Sequence, residues 1–239
     1  MFVIWITLLD LYFMIRNECR HCSVKSKAAK KLKDSETEAL SFNCALTSFK
    51  KGDVLIKQGM LSTNVVYLRS GLIKLHIEGP YGDQIVRIVK APGYLGLPTT
   101  FGDKINQYSI TAIDEVEACF IDITTFRNLL YSNPDFSYEI IIDICRNELE
   151  IYNRCVNRSQ KQLRGKIADV ILEMSGPIYD SDSFTLPISQ EEIGNLIDSS
   201  RESVSRILAE FEKDKIISVS GKKIEIKKKE SLLMISAKG

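Results

Sequence analysis

Residues 189–211 read SQEEIGNLIDSSRESVSRILAEF, and their periodicity predicts two short helices joined by a tight turn. Ser189 can cap the first helix, and Glu192, three residues on, completes a capping box. Ile193, Leu196 and Ile197 give that helix an apolar face. The run Asp198-Ser199-Ser200 interrupts the pattern, and Ser199 or Ser200 is placed to cap the second helix. There Val204, Ile207, Leu208 and Phe211 recur at helical spacing and should face inward. That leaves Arg201, Glu202, Ser205 and Arg206, with Ser203 among them, near an exposed helix N-terminus. Arg can pair bidentately with guanine and Glu can accept from cytosine N4. A helix-turn-helix presents this end of its second helix to the major groove. An ordinary helical hairpin with a charged outer face has the same periodicity, so the pattern alone leaves both readings open.

The longer stretch QEEIGNLIDSSRESVSRILAEFEKDKII (190–217), followed by GKKIEI (221–226), resembles the DNA-binding end of the Crp/Fnr regulators. Upstream, FKKGDVLIKQG (49–59), VVYLRSGLIKL (65–75) and GYLGL (93–97) resemble that family's effector domain, and the likeness spans about residues 36–230. It implies an α+β chain with a cyclic-nucleotide-binding-like β-roll (a jelly roll) over 36–135. A dimerisation helix would cover 136–163 and a winged helix-turn-helix 164–239, after an N-terminal segment 1–35. It also implies a homodimer on palindromic double-stranded DNA, and contact with RNA polymerase if the protein activates. Arg201, Glu202 and Arg206 match the base-reading positions of the family's cAMP-binding members one for one. Those members prefer half-sites containing TGTGA, with Arg on the guanines and Glu opposite a cytosine. Ser203 and Ser205 differ from them and leave the flanking preference open.

The residues themselves agree with this layout. Glycines punctuate 49–123 at turn-like intervals, and Val65–Leu68 and Ile73–Ile77 alternate as short strands do, which suggests a small barrel or jelly roll. A short helix is expected over SETEALSFNCAL (35–46), after a basic, linker-like stretch at 24–33. From Ser137 to Leu163 a longer helix is expected. Its a/d seam is Tyr138, Ile142, Cys145, Leu149, Tyr152, Val156, Ser159 and Leu163, which favours helix pairing. Ile141, Ile144, Ile151 and Cys155 form a second stripe, so one stripe should face the helix's own domain and the other a partner. Another helix is expected over 164–176, then a loop or short hairpin over 176–188. Residues 216–219 and 223–226 should form a wing.

The composition is that of a globular protein, 44% hydrophobic and 26% charged, with a net charge of only +1. Residues 164–239 hold 12 Lys/Arg against 13 Asp/Glu, which argues against a large non-specific grip on DNA. Positive charge is instead local, at Lys213, Lys215, Lys222, Lys223 and Lys227–Lys229, where phosphate contact is the expected role. Six cysteines beside a DNA-binding motif point to a reducing cytoplasm and not to a disulfide framework. Residues 1–13 are apolar, but they are too short to span a bilayer and carry Asp10, so no membrane role is expected. The preferred reading starts translation at Met14. A buried strand or helix, or an interfacial anchor, are the alternatives.

In the family's cAMP-binding members a Gly-Glu pair takes the ribose and an Arg about ten residues on takes the phosphate. Here Gly96 is kept, but Leu97 replaces the Glu, and Asn106 or Gln107 stands at the Arg position. A cyclic phosphate could not be neutralised there. Ile151 and Tyr152 stand where the long helix would approach a base. The effector is therefore expected not to be cAMP, and its identity stays open. Cys19 and Cys22 form a C-x2-C pair suited to soft metal ligation. The oxygen-sensing branch of the family ligates an Fe–S cluster with such a pair, a third Cys six residues on, and a fourth in the β-roll. Cys119 aligns with the fourth, but the third falls on Ala28, so Cys44, or else His21, would have to substitute. An Fe–S or other metal-dependent redox sensor is thus the alternative reading, with zinc or no metal also open. Two histidines are too few for a cupin-like metal site, and no catalytic constellation stands out, so no enzyme is expected.

Overall fold

The computed structural model describes residues 19–80 and 82–239. The readings made for residues 1–13 and for a start at Met14 lie outside the described residues. In chain order, α1 (Asp34–Phe42) precedes β1 (Cys44–Phe49), β2 (Val54–Ile56), β3 (Asn64–Ser70), β4 (Leu72–Gly79), β5 (Gly82–Lys90) and β6 (Gly93–Leu95). Then come α2 (Leu97–Gly102), β7 (Ser109–Ala112), β8 (Val116–Asp122), α3 (Ile123–Ser132) and the long α4 (Pro134–Gln160). Helix α5 (Leu163–Glu173), β9 (Ser183–Thr185), α6 (Gln190–Ile197), α7 (Arg201–Lys213), β10 (Ile217–Ser220), β11 (Lys223–Ile226) and α8 (Lys229–Lys238) complete the order. The elements fall into two compact units, one of residues up to Leu72 with 90–147, the other of 73–89 with 148–239. Among the described residues, no helix is long and apolar enough to cross a membrane.

The first unit holds an antiparallel sheet in the order β1-β8-β3-β6, and a β2–β7 pair. Val65 to Leu68 are all buried, so both faces of β3 are covered. Gly71 makes the turn into β4 at φ +88°, and a Cβ there would lie 2.3 Å from the Glu115 carbonyl oxygen. Only glycine fits both demands. Phe126, fully buried, meets Tyr94, Phe101 and Phe136 at ring separations of 5.3–6.0 Å and anchors α3 and the start of α4 to the sheet. Asn133 caps α4 by accepting from the Phe136 amide at 3.0 Å, just before Pro134 fixes the first turn.

Three sequence expectations change here. The helix expected over 35–46 stops at Phe42. Asn43 closes it, its amide bonding to the Leu40 carbonyl, and Cys44, Ala45 and Leu46 become an edge strand paired with Ile121, Phe120 and Cys119. Pairing with β8 outweighs the helix propensity of Ala45 and Leu46. Residues 24–33 are not a free linker. Ala28 is fully buried, Tyr67 donates its hydroxyl to the Val24 carbonyl at 2.5 Å, and Ser26 bonds the Tyr94 hydroxyl at 2.9 Å. In α4, Phe136 and Ile140 are the buried residues, while Ile141, Ile144 and Ile151 of the second stripe are exposed, as are Tyr138, Leu149, Tyr152 and Val156 of the seam. The helix ends at Gln160, and Leu163 opens α5.

The second unit holds the hydrogen-bonded β4 and β5, the rest of α4, and the C-terminal elements. Its three-stranded sheet runs β10-β11-β9. The loop or short hairpin expected at 176–188 contributes one strand, Ser183–Thr185, which pairs with Glu225–Lys223. It is preceded by a π turn at Met174–Ile178, so the helix expected over 164–176 ends at Glu173.

Candidate nucleic-acid interface

The capping box anticipated at Ser189 is formed. Its hydroxyl accepts from the Glu192 amide at 3.1 Å, and the Glu192 carboxylate accepts from the Ser189 amide at 2.9 Å. The second carboxylate oxygen of Glu192 receives Lys74 Nζ of β4 at 2.6 Å. Burial works against ionisation of Glu192, but the Lys74 and Ser189 donors outweigh it and hold the carboxyl below its usual range.

Helix α6 ends when Asp198 turns left-handed at φ +56°, and the Ser199 amide returns to the Gly194 carbonyl at 3.0 Å. This reversal brings the Ser199 carbonyl oxygen to 2.5 Å from where a Cβ on residue 194 would sit. Ser200 then caps α7, accepting from the Ser203 amide at 3.2 Å. Val204, Ile207, Leu208 and Phe211 are buried, and Arg201, Glu202, Ser205 and Arg206 are exposed, with Ser203 half-buried. The carboxyl of Glu202 is held below its usual range by its own backbone amide and by the Ser200 hydroxyl, so it stays an ionised acceptor.

The wing closes through Gly221-Lys222, between the paired Ser220 and Lys223, and both lysines are exposed. A groove of about 320 Å³ runs between Ile188, Gln190, Arg201, Gly221 and Lys222. Two cations from distant parts of the sequence, with the carboxylate of Glu191, thus line one groove beside the start of α7. Arg206 reaches back along its own helix and meets Glu210 at 2.9 Å.

The positions considered for an effector are placed differently. Leu97 is buried in the first unit's core, and Asn106 is buried with its side-chain oxygen 3.2 Å from the Thr99 hydroxyl, which also lies 3.0 Å from the Gly96 carbonyl. Gln107 is exposed and donates to Asp103. Ile151 and Tyr152 are exposed, and Tyr152 donates its hydroxyl to Glu148.

Cys19, Cys22, Cys44 and Cys119 line one small cavity of about 40 Å³, with Tyr67 and Tyr94 in its wall. The Cys44 thiol is hydrogen-bonded to Cys119 and to Cys19, and those contacts, with burial, push its pKa up and keep it protonated. Burial, with the neighbouring Cys22, also raises Tyr67 to about 12. Among the described residues, no three or more His, Cys, Asp or Glu side chains stand in metal-holding geometry. Ala28, the aligned third position, is core, and it packs in the same cluster as Cys19, Cys44 and Cys119.

Comparison with known proteins gives two family matches. Residues 46–133 match the cyclic nucleotide-binding domain family, and residues 165–235 match the Crp-like helix-turn-helix domain family. The chain belongs to the Crp/Fnr family of transcription regulators. The cAMP-activated global transcriptional regulator CRP of Pasteurella multocida is 24% identical over 198 residues, 81% of this chain and 95% of that protein. The transcriptional activator protein Anr of Pseudomonas protegens is 23% identical over 181 residues, 74% of each chain. In structure, FixK2 from Bradyrhizobium japonicum superposes with a TM-score of 0.74 at 16% identity, covering 82% of this chain and 98% of that one. A Crp/Fnr-family regulator from Eubacterium rectale reaches 0.75 at 17% identity, covering 88% and 98%. The expected α+β fold, a β-roll followed by helices and a helix-turn-helix, is the fold these neighbours share. Crp/Fnr proteins are DNA-binding transcription regulators, which are not enzymes, and the family implies DNA as the partner.

Sequence reasoning missed Gly194, Lys74, Arg164 and Glu210. The short spacing from Gly194 to the break at Asp198 was the available signal for the first. The Gly194 geometry makes a test with an inverted sign. An exposed helical Gly→Ala change normally gains about 0.5–1 kcal/mol. Gly194→Ala should instead cost about 1–3 kcal/mol, because the methyl meets backbone. Urea titration of the two proteins reads the difference, and a more stable variant would show that the turn is not in contact as described.

Proposed function

We propose that this Crp/Fnr regulator acts in the cytoplasm as a homodimer that sets two α7 helices into successive major-groove turns of a palindromic site. The observation that carries the reading is the exposed set Arg201, Glu202 and Arg206 at the capped end of α7, with Lys222 beside Arg201. In this reading Arg201 and Arg206 pair with guanine, Glu202 accepts from cytosine, and Ser203 and Ser205 adjust flanking bases. Lys222 and Lys223 hold phosphate. The sensor region is 36–135, the dimerisation helix is α4 and the DNA-binding domain is 164–239. A signal in the β-roll shifts the population of dimer geometries, and RNA polymerase is a partner if the protein activates. The protein has no catalytic role.

The signal is not cAMP. Leu97 and Asn106 are both buried, Asn106 beside Thr99, and neither supplies the carboxylate or cation that a cyclic phosphate ribose needs.

Base readout is tested by selecting from random duplexes. Arg206→Ala should lose a guanine contact worth about 1–3 kcal/mol and relax one base pair of the enriched motif. Lys222→Ala should weaken all sequences alike and flatten the salt slope by about one unit. An Arg206→Ala motif identical to that of the wild type removes the base-reading role.

Dimerisation rests on the exposed apolar residues of α4, among them Leu149 at 61% and Val156 at 50% exposure. Replacing both with Glu places like charges across the seam and should yield monomers by light scattering. An unchanged dimer would locate the interface elsewhere.

A second reading of the signal rests on the convergence of four thiols on one cavity. The donors are soft and suit a thiophilic metal, but among the described residues no three of them stand in metal-holding geometry, so binding would require the thiols to draw together. Cys44 takes the place that Ala28 leaves vacant in the ligand set. Binding would require the thiols to lose their protons. Anaerobically purified protein should then hold about one zinc, or two or more irons, per chain, and the metal should be lost on Cys44→Ser and kept on Cys145→Ser. Iron with acid-labile sulfide would assign a cluster, zinc alone a single ion, and metal-free protein ends this reading.

A further inference from the structure

We infer that Glu210 is a specificity-positioning residue, which aims Arg206 at its base through a carboxylate clamped from behind by Arg164. This rests on the reading of Arg206 as a base-reading side chain. The two oxygens of Glu210 do different things. One takes Arg206 Nη1 at 2.9 Å, across one turn of α7. The other takes Arg164 Nη1 of α5 at 2.7 Å. Arg164 is itself held three ways, by Glu210, by Asp214 at 3.2 Å and over the Phe211 ring at 5.1 Å. The carboxylate is therefore not a free rotor on the surface.

An isolated i,i+4 pair on a helix fixes little, because both side chains are mobile. Here one partner is immobilised by a second cation from another helix. The other partner, Arg206, stays 63% exposed while it is paired. Engaging Nη1 leaves Nη2 and Nε as the two parallel donors a guanine edge requires. Holding them in place before DNA arrives reduces the ordering cost of the bidentate pair. Pairing also removes a cation that would otherwise seek phosphate, so Glu210 trades non-specific affinity for discrimination.

The test measures affinities of full-length wild type, Glu210→Ala, Arg206→Ala and the double variant. Each binds the selected duplex, the same duplex with the Arg206 guanine replaced, and an unrelated duplex, at two salt concentrations. Thermal melts confirm folding. Glu210→Ala should lower discrimination at that base pair by roughly three- to ten-fold, within the usual range of contact couplings. Binding to the unrelated duplex should become tighter and steeper in salt. Glu210→Gln, which keeps an acceptor, should recover part of the discrimination. In the Arg206→Ala background, Glu210→Ala should change discrimination no further. Unchanged discrimination in Glu210→Ala overturns the positioning role. An equal loss on all three duplexes overturns it too, since it marks a merely structural residue. If Arg206→Ala itself leaves discrimination unchanged, the failure lies in the base-reading assignment and the positioning role falls with it.

Discussion

The whole recognition surface depends on one close approach, that of the Ser199 carbonyl to the side-chain-free Gly194. A helix-turn-helix needs its two helices joined at a fixed angle by very few residues. Here the chain reverses over Asp198, Ser199 and Ser200, and the reversal folds backbone onto the side of α6. Any Cβ at position 194 would hold that backbone away and displace the N-terminal end of α7. That N-terminus carries Arg201 and Glu202, so an error at the turn is passed on to the two side chains proposed to read bases. The buried Val204, Ile207, Leu208 and Phe211 then fix the rotation of α7 about its axis.

Charge around this surface is arranged in pairs, and that accounts for a domain with 12 basic and 13 acidic residues being suited to DNA. Arg164 is absorbed by Glu210 and Asp214, Lys161 by Asp169, Arg154 by Glu173 and Lys229 by Asp182. Arg201 and Lys222 lie along the groove between α7 and the wing. Net charge is thus a poor guide to the partner, while the location of the cations beside the groove is informative. Weak background attraction suits a regulator that must choose among many competing sites, because non-specific binding scales with phosphate contacts.

Much of this was legible in the sequence, and what was not has physical causes. Ser189 with Glu192, and the spacing Val204, Ile207, Leu208, Phe211, are local signals, set by caps and by the helical period, and the structure has both. Cys44 to Leu46 were misplaced because strand pairing with β8 is a non-local choice that propensity cannot see. Residues 24–33 looked like a linker because Lys25, Lys27, Lys30 and Lys31 mask the small Ala28, whose burial is decided by tertiary packing. The two stripes of α4 were read correctly as apolar, but one was assigned to the helix's own domain. In fact Phe136 and Ile140, near its start, make that contact. The i,i+4 spacing of Arg206 and Glu210 is legible in the sequence, but the second partner of Glu210, Arg164, is distant in the chain.

The thiol cavity shows the same distinction from the other side. Cys19 and Cys22 could be paired by spacing alone, and Cys119 by alignment, but Cys44 joins them only because β1 lies beside β8 in a register that sets Leu46 opposite Cys119. Residues two apart on a strand share a face. Cys44 therefore points to the same side as Leu46 and Cys119, into the cavity beneath residues 19–29. The edge strand that upset the helical reading is thus what completes the cysteine set. A helix continuing to Leu46 would have rotated Cys44 off that face, and the N-terminal segment would have met the sheet with three thiols in place of four.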